Sequence, residues 1–203
     1  MRKIGLFFVI CMLIAIIAIG CQNREKEPQM SEEGQIENEA IEVDKEEKEK
    51  EATLEVELIN EEGIQVGMAT LTEESDGVHI AVDAHHLSKG MHGFHIHEKG
   101  LCETPTFESA GGHFNPDGKN HGFDDPQGPH AGDMVNLEVH ADGTAEQIVI
   151  NDRVTLEKGV PHSLISNEGT SLMIHADPDD YISQPAGDAG ERIVCGVISK
   201  GDK

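Results

Sequence analysis

Between Thr53 and Lys203 the chain consists of short segments whose apolar residues recur at every second position, and no stretch of a dozen residues keeps a helical period. Successive strand side chains point to opposite faces, so such a pattern commits each segment to one buried and one wet face of a sheet. Thr53-Leu-Glu-Val-Glu-Leu-Ile59, Val78-His-Ile-Ala-Val-Asp83, Val135-Asn-Leu-Glu-Val139 and Ala145-Glu-Gln-Ile-Val-Ile150 are the clearest examples. Gly63, Asp76-Gly77, Asp142-Gly143 and Asn167-Glu-Gly169 supply turn chemistry between them. About eight strands in roughly 150 residues predict an all-β sandwich or closed barrel. The segment from Gly100 to Asp133 lacks strand character. A loop of that length in a compact domain is functional or is held by something other than a core.

Upstream the texture differs. Residues 1–20 begin Met-Arg-Lys and continue as an apolar run from Ile4 to Gly20, the length of a secretory signal and short for a membrane span. The run ends Ala18-Ile19-Gly20-Cys21, which resembles a bacterial lipoprotein signal, although Ala18 stands where Leu is commonest. That resemblance implies cleavage before Cys21 and a lipid on its sulfur. An uncleaved anchor is the alternative, and either way the remaining chain lies outside the cytoplasm. Residues 21–52 are acidic and nearly free of large apolar side chains, with the tract Asp44-Lys-Glu-Glu-Lys-Glu-Lys-Glu51. Such a stretch cannot bury enough surface to offset the entropy of ordering it, so a disordered, lipid-anchored tether is expected, followed by one domain over 53–203.

Charge narrows the partners. Lys plus Arg number 15 against 39 Asp plus Glu, a formal charge of −24, so nucleic acid is excluded as a partner. With no Trp and one Tyr, stacking platforms for bases or sugars are scarce. The excess that points to chemistry is 12 His.

His95-Ile-His97 lies in the strand-like segment Gly93 to Glu98, where residues two apart share a face and stand about 7 Å apart at their Cα atoms. His113, His121, His130 and Asp133 fall within 21 residues of the strandless loop and match a closed tetrahedral zinc set of three nitrogens and one oxygen. His175, ending the apolar run Ser171-Leu-Met-Ile-His175, reads by itself as a core histidine. His79, His85, His86, His92, His140 and His162 have no partner at a telling spacing and read as structural. Of the four Cys, Cys11 leaves with the signal and Cys21 is taken for the lipid. Cys102 and Cys195 remain as a pair that an oxidising compartment favours joining, two buried thiols being the alternative.

Five ordered stretches resemble the copper/zinc superoxide dismutase family: Gly93-Phe-His-Ile-His-Glu-Lys-Gly100, Ser109-Ala-Gly-Gly-His-Phe-Asn-Pro116, His130-Ala-Gly-Asp133, Ile174-His-Ala-Asp-Pro-Asp-Asp180 and Gly190-Glu-Arg-Ile-Val-Cys-Gly-Val-Ile198. The resemblance implies an eight-stranded Greek-key barrel with a long metal-binding loop, and one copper and one zinc per chain. By position, His95, His97, His113 and His175 would bind copper, and His113, His121, His130 and Asp133 would bind zinc, with His113 shared. Four imidazoles suit Cu(II), and three with a carboxylate suit redox-inert Zn. Asp179 matches the carboxylate that accepts hydrogen bonds from one ligand of each metal, here His95 and His121. Arg192 matches the arginine that holds the substrate anion beside the copper, and Cys102 and Cys195 match the intrachain disulfide. Without the resemblance, Asp179 reads as a loop acid and Arg192 as a rim salt bridge.

The activity so implied is dismutation of superoxide to oxygen and hydrogen peroxide, with His113 and Arg192 as the catalytic residues, on the outer face of a bacterial membrane. A metal-binding lipoprotein without turnover is the alternative on the same barrel. A homodimer is compatible with the pattern, since strand residues that pack a barrel look like those that face a partner. The acidic surface opposes an anionic substrate, so added salt should lower the rate if local cations steer it and raise the rate if the acids dominate.

Overall fold

The computed structural model describes residues 52–201; the expected signal, Cys21 and nearly all of the tether lie outside the described residues. Among the described residues there are nine strands and one short 3-10 turn, Glu108–Ala110. The strands are β1 (Thr53–Asn60), β2 (Gln65–Glu74), β3 (Gly77–Ala84), β4 (Gly90–His92), β5 (Phe94–His97), β6 (Leu137–Val139), β7 (Ala145–Asn151), β8 (Gly169–His175) and β9 (Arg192–Lys200). Seven form one antiparallel sheet in the order β5-β8-β9-β1-β2-β3-β7, and β4 pairs with β6. The neighbours β9-β1, β3-β7 and β5-β8 are the Greek-key crossings of the expected all-β fold.

The count rises from about eight to nine because one segment serves two sheets. β4 and β5 are separated by Gly93 alone, and there the chain leaves β6 and joins β8. Gly93 donates its N–H to the Asp177 carbonyl and accepts from the His175 N–H, both at 2.8 Å, and a Cβ on it would stand 2.8 Å from that of Ala189. Any side chain there would push β5 from the loop that packs across it. β6 starts two residues later than its alternation suggests, because the Asn136 N–H is spent on the Tyr181 hydroxyl at 2.8 Å.

Turn chemistry follows the residues. The Asn60 side-chain oxygen accepts from the N–H groups of Glu62 and Ile64, and Gly63 takes φ 77, closing the β1–β2 turn. Inward positions then build one core: Val56 and Leu58, Leu71, Val78, Ile80 and Val82, Val149, Leu172 and Ile174, and Val194. Each buried aliphatic side chain contributes about 1.5–3 kcal/mol, an upper estimate. β5 and β8 are buried along their whole length, since the strandless loop covers their outer face. Phe94 and Ile96 enter the barrel core, which leaves His95 and His97 facing the loop. Under it a second cluster joins Phe107, Ala110, Met173 and Cys195.

Candidate metal centre

The long loop is laid along β5 by backbone bridges at the residues singled out for chemistry. His97 pairs with His113 and His95 with Asp133. Ile96 donates to the Gly132 carbonyl and accepts from Phe114, each at 2.8 Å. On the other side β8 pairs with β5, and His175 lies across from Arg192 on β9. Groups more than 60 residues apart in sequence are thereby brought together by sheet register.

His95, His97, His113 and His175 form one buried group of possible ligands. The His113 ring lies 4.0 Å from that of His95 and 5.1 Å from that of His97, and the His95 and His175 rings are 4.9 Å apart. In each ring one nitrogen is engaged by the protein. His95 Nε2 bonds to Asp179 Oδ2 at 2.7 Å, and His97 Nδ1 to the Gly111 carbonyl at 3.0 Å. His113 Nδ1 bonds to Asp133 Oδ1 at 2.8 Å, and His175 Nδ1 to the Gly190 carbonyl at 3.3 Å. The opposite nitrogens, Nδ1 of His95 and Nε2 of His97, His113 and His175, are buried without a partner. A buried acceptor left unpaired costs about 1–3 kcal/mol, and four in one cluster fit a soft or borderline cation taken up by imidazole nitrogen. Burial, followed by mutual repulsion, holds His97 well below the ordinary range and lowers His175 to about 3, so both rings stay neutral donors.

His113, His121, His130 and Asp133 form the second group. Asp133 Oδ1 lies 2.8, 3.1 and 3.2 Å from Nδ1 of His113, His121 and His130. Its Oδ2 accepts from the N–H groups of Gly122 and His130 at 2.8 and 2.9 Å. Burial would raise the Asp133 pKa, yet the three imidazoles hold it far below the carboxylate range. Burial likewise pulls His121 down, but its bonds to Asp133 and Asp179 outweigh this and raise it to about 9. Three Nδ1 atoms around one carboxylate oxygen are the donor set of a tetrahedral zinc site. His113 belongs to both groups, offering Nδ1 to one and Nε2 to the other.

Asp179 joins the two groups. Its Oδ2 accepts from His95, and its Oδ1 accepts from His121 Nε2 at 3.0 Å. Three residues without a sequence signal hold this arrangement. Asn136 pairs with both backbone groups of Asp179 at 2.9 Å. Gln184 grips both backbone groups of His121, also at 2.9 Å. Gly187, at φ 69, lies where a Cβ would collide with Asp179 Oδ1. Side-chain amides that serve backbone groups leave no periodicity or spacing to read.

Arg192 is no rim salt bridge. Nη1 donates to the Phe107 carbonyl and Nη2 to the Gly111 carbonyl, each at 2.8 Å. The cleft beside it is lined by Glu61, Glu108 and Glu191. Cys102 and Cys195 are joined, Cα atoms 5.7 Å apart, which ties the loop to β9. His92 is a buried core histidine outside both ligand groups, its ring nitrogens 2.7 and 2.8 Å from the carbonyls of His175 and Ser88. His79 pairs with Asp76 and His162 with Asp117, while His85 and His86 sit beyond the end of β3 with ring centroids 4.7 Å apart.

Comparison with known proteins accords with this geometry. The family described as copper/zinc superoxide dismutase matches residues 65–198. The chain is 53% identical over 143 residues to "Superoxide dismutase [Cu-Zn] 2" of Aquifex aeolicus, covering 70% of this chain and 84% of that one. It is 46% identical over 145 residues to "Superoxide dismutase-like protein YojM" of Bacillus subtilis, covering 70% and 74%. The crystal structure of a superoxide dismutase-like protein from Bacillus subtilis aligns with a TM-score of 0.70 at 45% identity, over 72% of this chain and 99% of that one. The copper/zinc superoxide dismutase of Brucella abortus aligns at 0.60 and 30%, over 72% and 99%. A match that spans most of the β-domain, with two His-rich groups sharing one ring, places the chain in the copper/zinc superoxide dismutase family.

Proposed function

We propose that the protein dismutes superoxide to oxygen and hydrogen peroxide, and does so at an imidazole shared between a copper and a zinc site. The observation that carries this reading is His113, whose Nδ1 faces Asp133 while its Nε2 stands buried and unpartnered among three other bare imidazole nitrogens. His95 Nδ1 and the Nε2 atoms of His97, His113 and His175 would hold copper; Nδ1 of His113, His121 and His130 with Asp133 would hold zinc. Copper supplies one-electron redox chemistry when bound, and zinc supplies a fixed charge without redox chemistry.

The protein's own groups handle the anion and the protons. The Arg192 fork is fixed by two carbonyls and presents a permanent charge to a small oxyanion. Burial first, and then the neighbouring His95 and His121, lowers His113 to about 4 against the pull of Asp133, so the ring does not hold a second proton at neutral pH. With zinc on Nδ1 in place of that atom's proton, Nε2 would be the ring's one protonation site, free to take one proton in one half-reaction and return it in the other. Two superoxide ions and two protons yield one oxygen and one hydrogen peroxide; one proton comes through His113 Nε2 and the other from water.

The setting proposed is the extracytoplasmic face of a bacterial membrane, with the chain held by a lipid on Cys21. The apolar run ending at Gly20-Cys21 and the acidic stretch after it support this. Mass spectrometry of the membrane fraction tests it, and an unmodified amino terminus upstream of Cys21 counts against the anchor. Activity is tested with a superoxide assay on protein loaded with copper and zinc against protein loaded with zinc alone. Turnover only in the first supports the enzyme; equal, negligible rates in both favour a metal-binding protein on the same barrel.

A further inference from the structure

We propose that Arg153, a residue outside both ligand groups, positions Asp133 for zinc; the proposal rests on the zinc reading of the His113, His121, His130 and Asp133 group. Asp133 can aim Oδ1 at three imidazoles only while its own main chain is held; the bridge to His95 on β5 holds one side, and the end of β7 supplies a second hold. Asn151 is fully buried and donates Nδ2 to the Ala131 carbonyl at 2.8 Å, and its Oδ1 accepts from the Arg153 N–H at 3.0 Å. Two residues on, Arg153 Nη2 donates to the Asp133 carbonyl at 2.9 Å. Alternate residues of one segment thus grip alternate carbonyls of the other, a ladder rung made by side chains at the end of β7, the edge strand of the seven-stranded sheet.

Two further contacts hold the guanidinium, whose Nε is buried without a partner. Nη1 donates to Asp152 Oδ1 at 3.0 Å, and the charge lies 5.3 Å from the centroid of the Phe123 ring. Phe123 follows Gly122, whose N–H holds Asp133 Oδ2 at 2.8 Å. Arg153 therefore touches the main chain of the candidate zinc carboxylate on one side. On the other it touches the segment that restrains the carboxylate's second oxygen. A planar fork that bonds in two directions while its face lies on a ring is a task for Arg, and a Lys ammonium can perform only part of it.

The test is a chelator-competition titration of zinc into the full chain, run on wild type, Arg153→Ala, Arg153→Lys and Asp133→Ala, with copper binding to the His95 group measured on the same samples. Groups that orient metal ligands are typically worth 10- to 100-fold in metal affinity. Arg153→Ala is therefore expected to weaken zinc about 10-fold, Arg153→Lys by less, and neither to change copper affinity. Cobalt placed in the zinc site should show altered visible absorption bands in Arg153→Ala. Unchanged zinc affinity in Arg153→Ala, with a large loss in Asp133→Ala, overturns the role of Arg153 and leaves the zinc site standing. An equal loss for zinc and copper also overturns it, since that is the signature of general destabilisation. If Asp133→Ala itself retains wild-type zinc affinity, the zinc reading fails first. Should Arg153→Ala not fold, Arg153→Lys decides: wild-type zinc affinity there, with unaltered cobalt bands, removes the proposal.

Discussion

Arg192 and His97 meet at one oxygen: the Gly111 carbonyl accepts from Arg192 Nη2 at 2.8 Å and from His97 Nδ1 at 3.0 Å. The group that would dock the anion and a ring that would hold copper are thereby set by the same peptide. That peptide is steadied from behind by Glu98, whose Oε1 accepts from the Gly112 N–H at 3.1 Å. Arg192→Ala removes the charge but leaves the His97 bond. The expectation is copper affinity close to wild type with kcat/KM for superoxide lower by about 10- to 100-fold, the worth of a charge-assisted contact of about 1.5–3 kcal/mol. Arg192→Lys should recover only part of the rate, because an ammonium cannot span the carbonyls of Phe107 and Gly111 together. Pulse radiolysis on metal-loaded variants measures this, and a wild-type rate in Arg192→Ala would remove the residue from the mechanism.

The surroundings of Arg192 bear on the sign of the salt effect. Glu61, Glu108 and Glu191 line the same cleft, and the Glu108 charge opposes the lowering of the Arg192 pKa by burial. An acid about 10 Å from an approaching anion costs about 0.4 kcal/mol in water, roughly twofold in rate. With three acids at the mouth, kcat/KM should rise with ionic strength between low and physiological salt. Glu108→Gln should raise it about twofold at low salt and less at high salt. A rate that falls with salt would show that the cations dominate the approach.

How much of this was legible follows from how each residue is held. β1, β3 and β7 have one wet face, so their alternation was visible, whereas β5 and β8 are buried on both faces and carry no such mark. The spacing of His113, His121, His130 and Asp133 was readable because one loop supplies them all. His175 was readable only through the family resemblance and not from its spacing, since its place beside His95 is created by the pairing of β8 with β5 and looks like the end of an apolar run in one dimension. Asn136, Asn151, Arg153 and Gln184 act by bonding to backbone groups far along the chain, and no local pattern records that.

Asp179→Asn tests the link between the two groups. An amide keeps the shape but can accept through only one atom, so either His95 or His121 loses the acceptor on its Nε2 side. Zinc affinity should fall about 10- to 100-fold while the barrel stays folded. Gly187→Ala should resemble it, because the added Cβ would displace the same carboxylate. Zinc competition with circular dichroism as the fold control decides; full zinc affinity in both variants would show that Asp179 does not tune the site.

The disulfide closes a sequence separation of 93 residues. In the chain-entropy account, removing it by Cys102→Ser costs about 4 to 5 kcal/mol. At about 2–4 °C per kcal/mol, that places the loss in Tm at roughly 10 to 20 °C. Cys195 is fully buried against Phe107, Ala110 and Met173, so opening the bond also loosens the loop that carries the Phe107 carbonyl beneath Arg192. Calorimetry of the metal-loaded variant checks this, and a shift below about 3 °C would show that the metals alone hold the loop.

The metal-free protein should be most stable near pH 6.5. His113 and His175 are lowered to about 4 and about 3 by burial, and His97 lies well below its ordinary value for the same reason. As pH falls below 6.5 the unfolded chain protonates these three rings and the folded chain does not, so stability declines until the folded values are reached. His121 behaves oppositely. Held at about 9 by Asp133 and Asp179 against the effect of burial, it keeps its proton when folded and loses it when unfolded, so its contribution is full below pH 6.5 and disappears as pH rises through 9. Each proton of difference is worth about 1.4 kcal/mol per pH unit, so the acid side, with three rings, should fall more steeply than the alkaline side, with one. Urea denaturation of chelator-treated protein at pH 5, 6.5 and 8.5 reads the profile directly. With zinc bound to Nδ1, the His121 proton is displaced at the outset, so zinc should abolish the decline between pH 6.5 and 9. A metal-free chain whose stability climbs steadily from pH 5 to 8.5 would mean that His121 is not held between the two carboxylates as a cation.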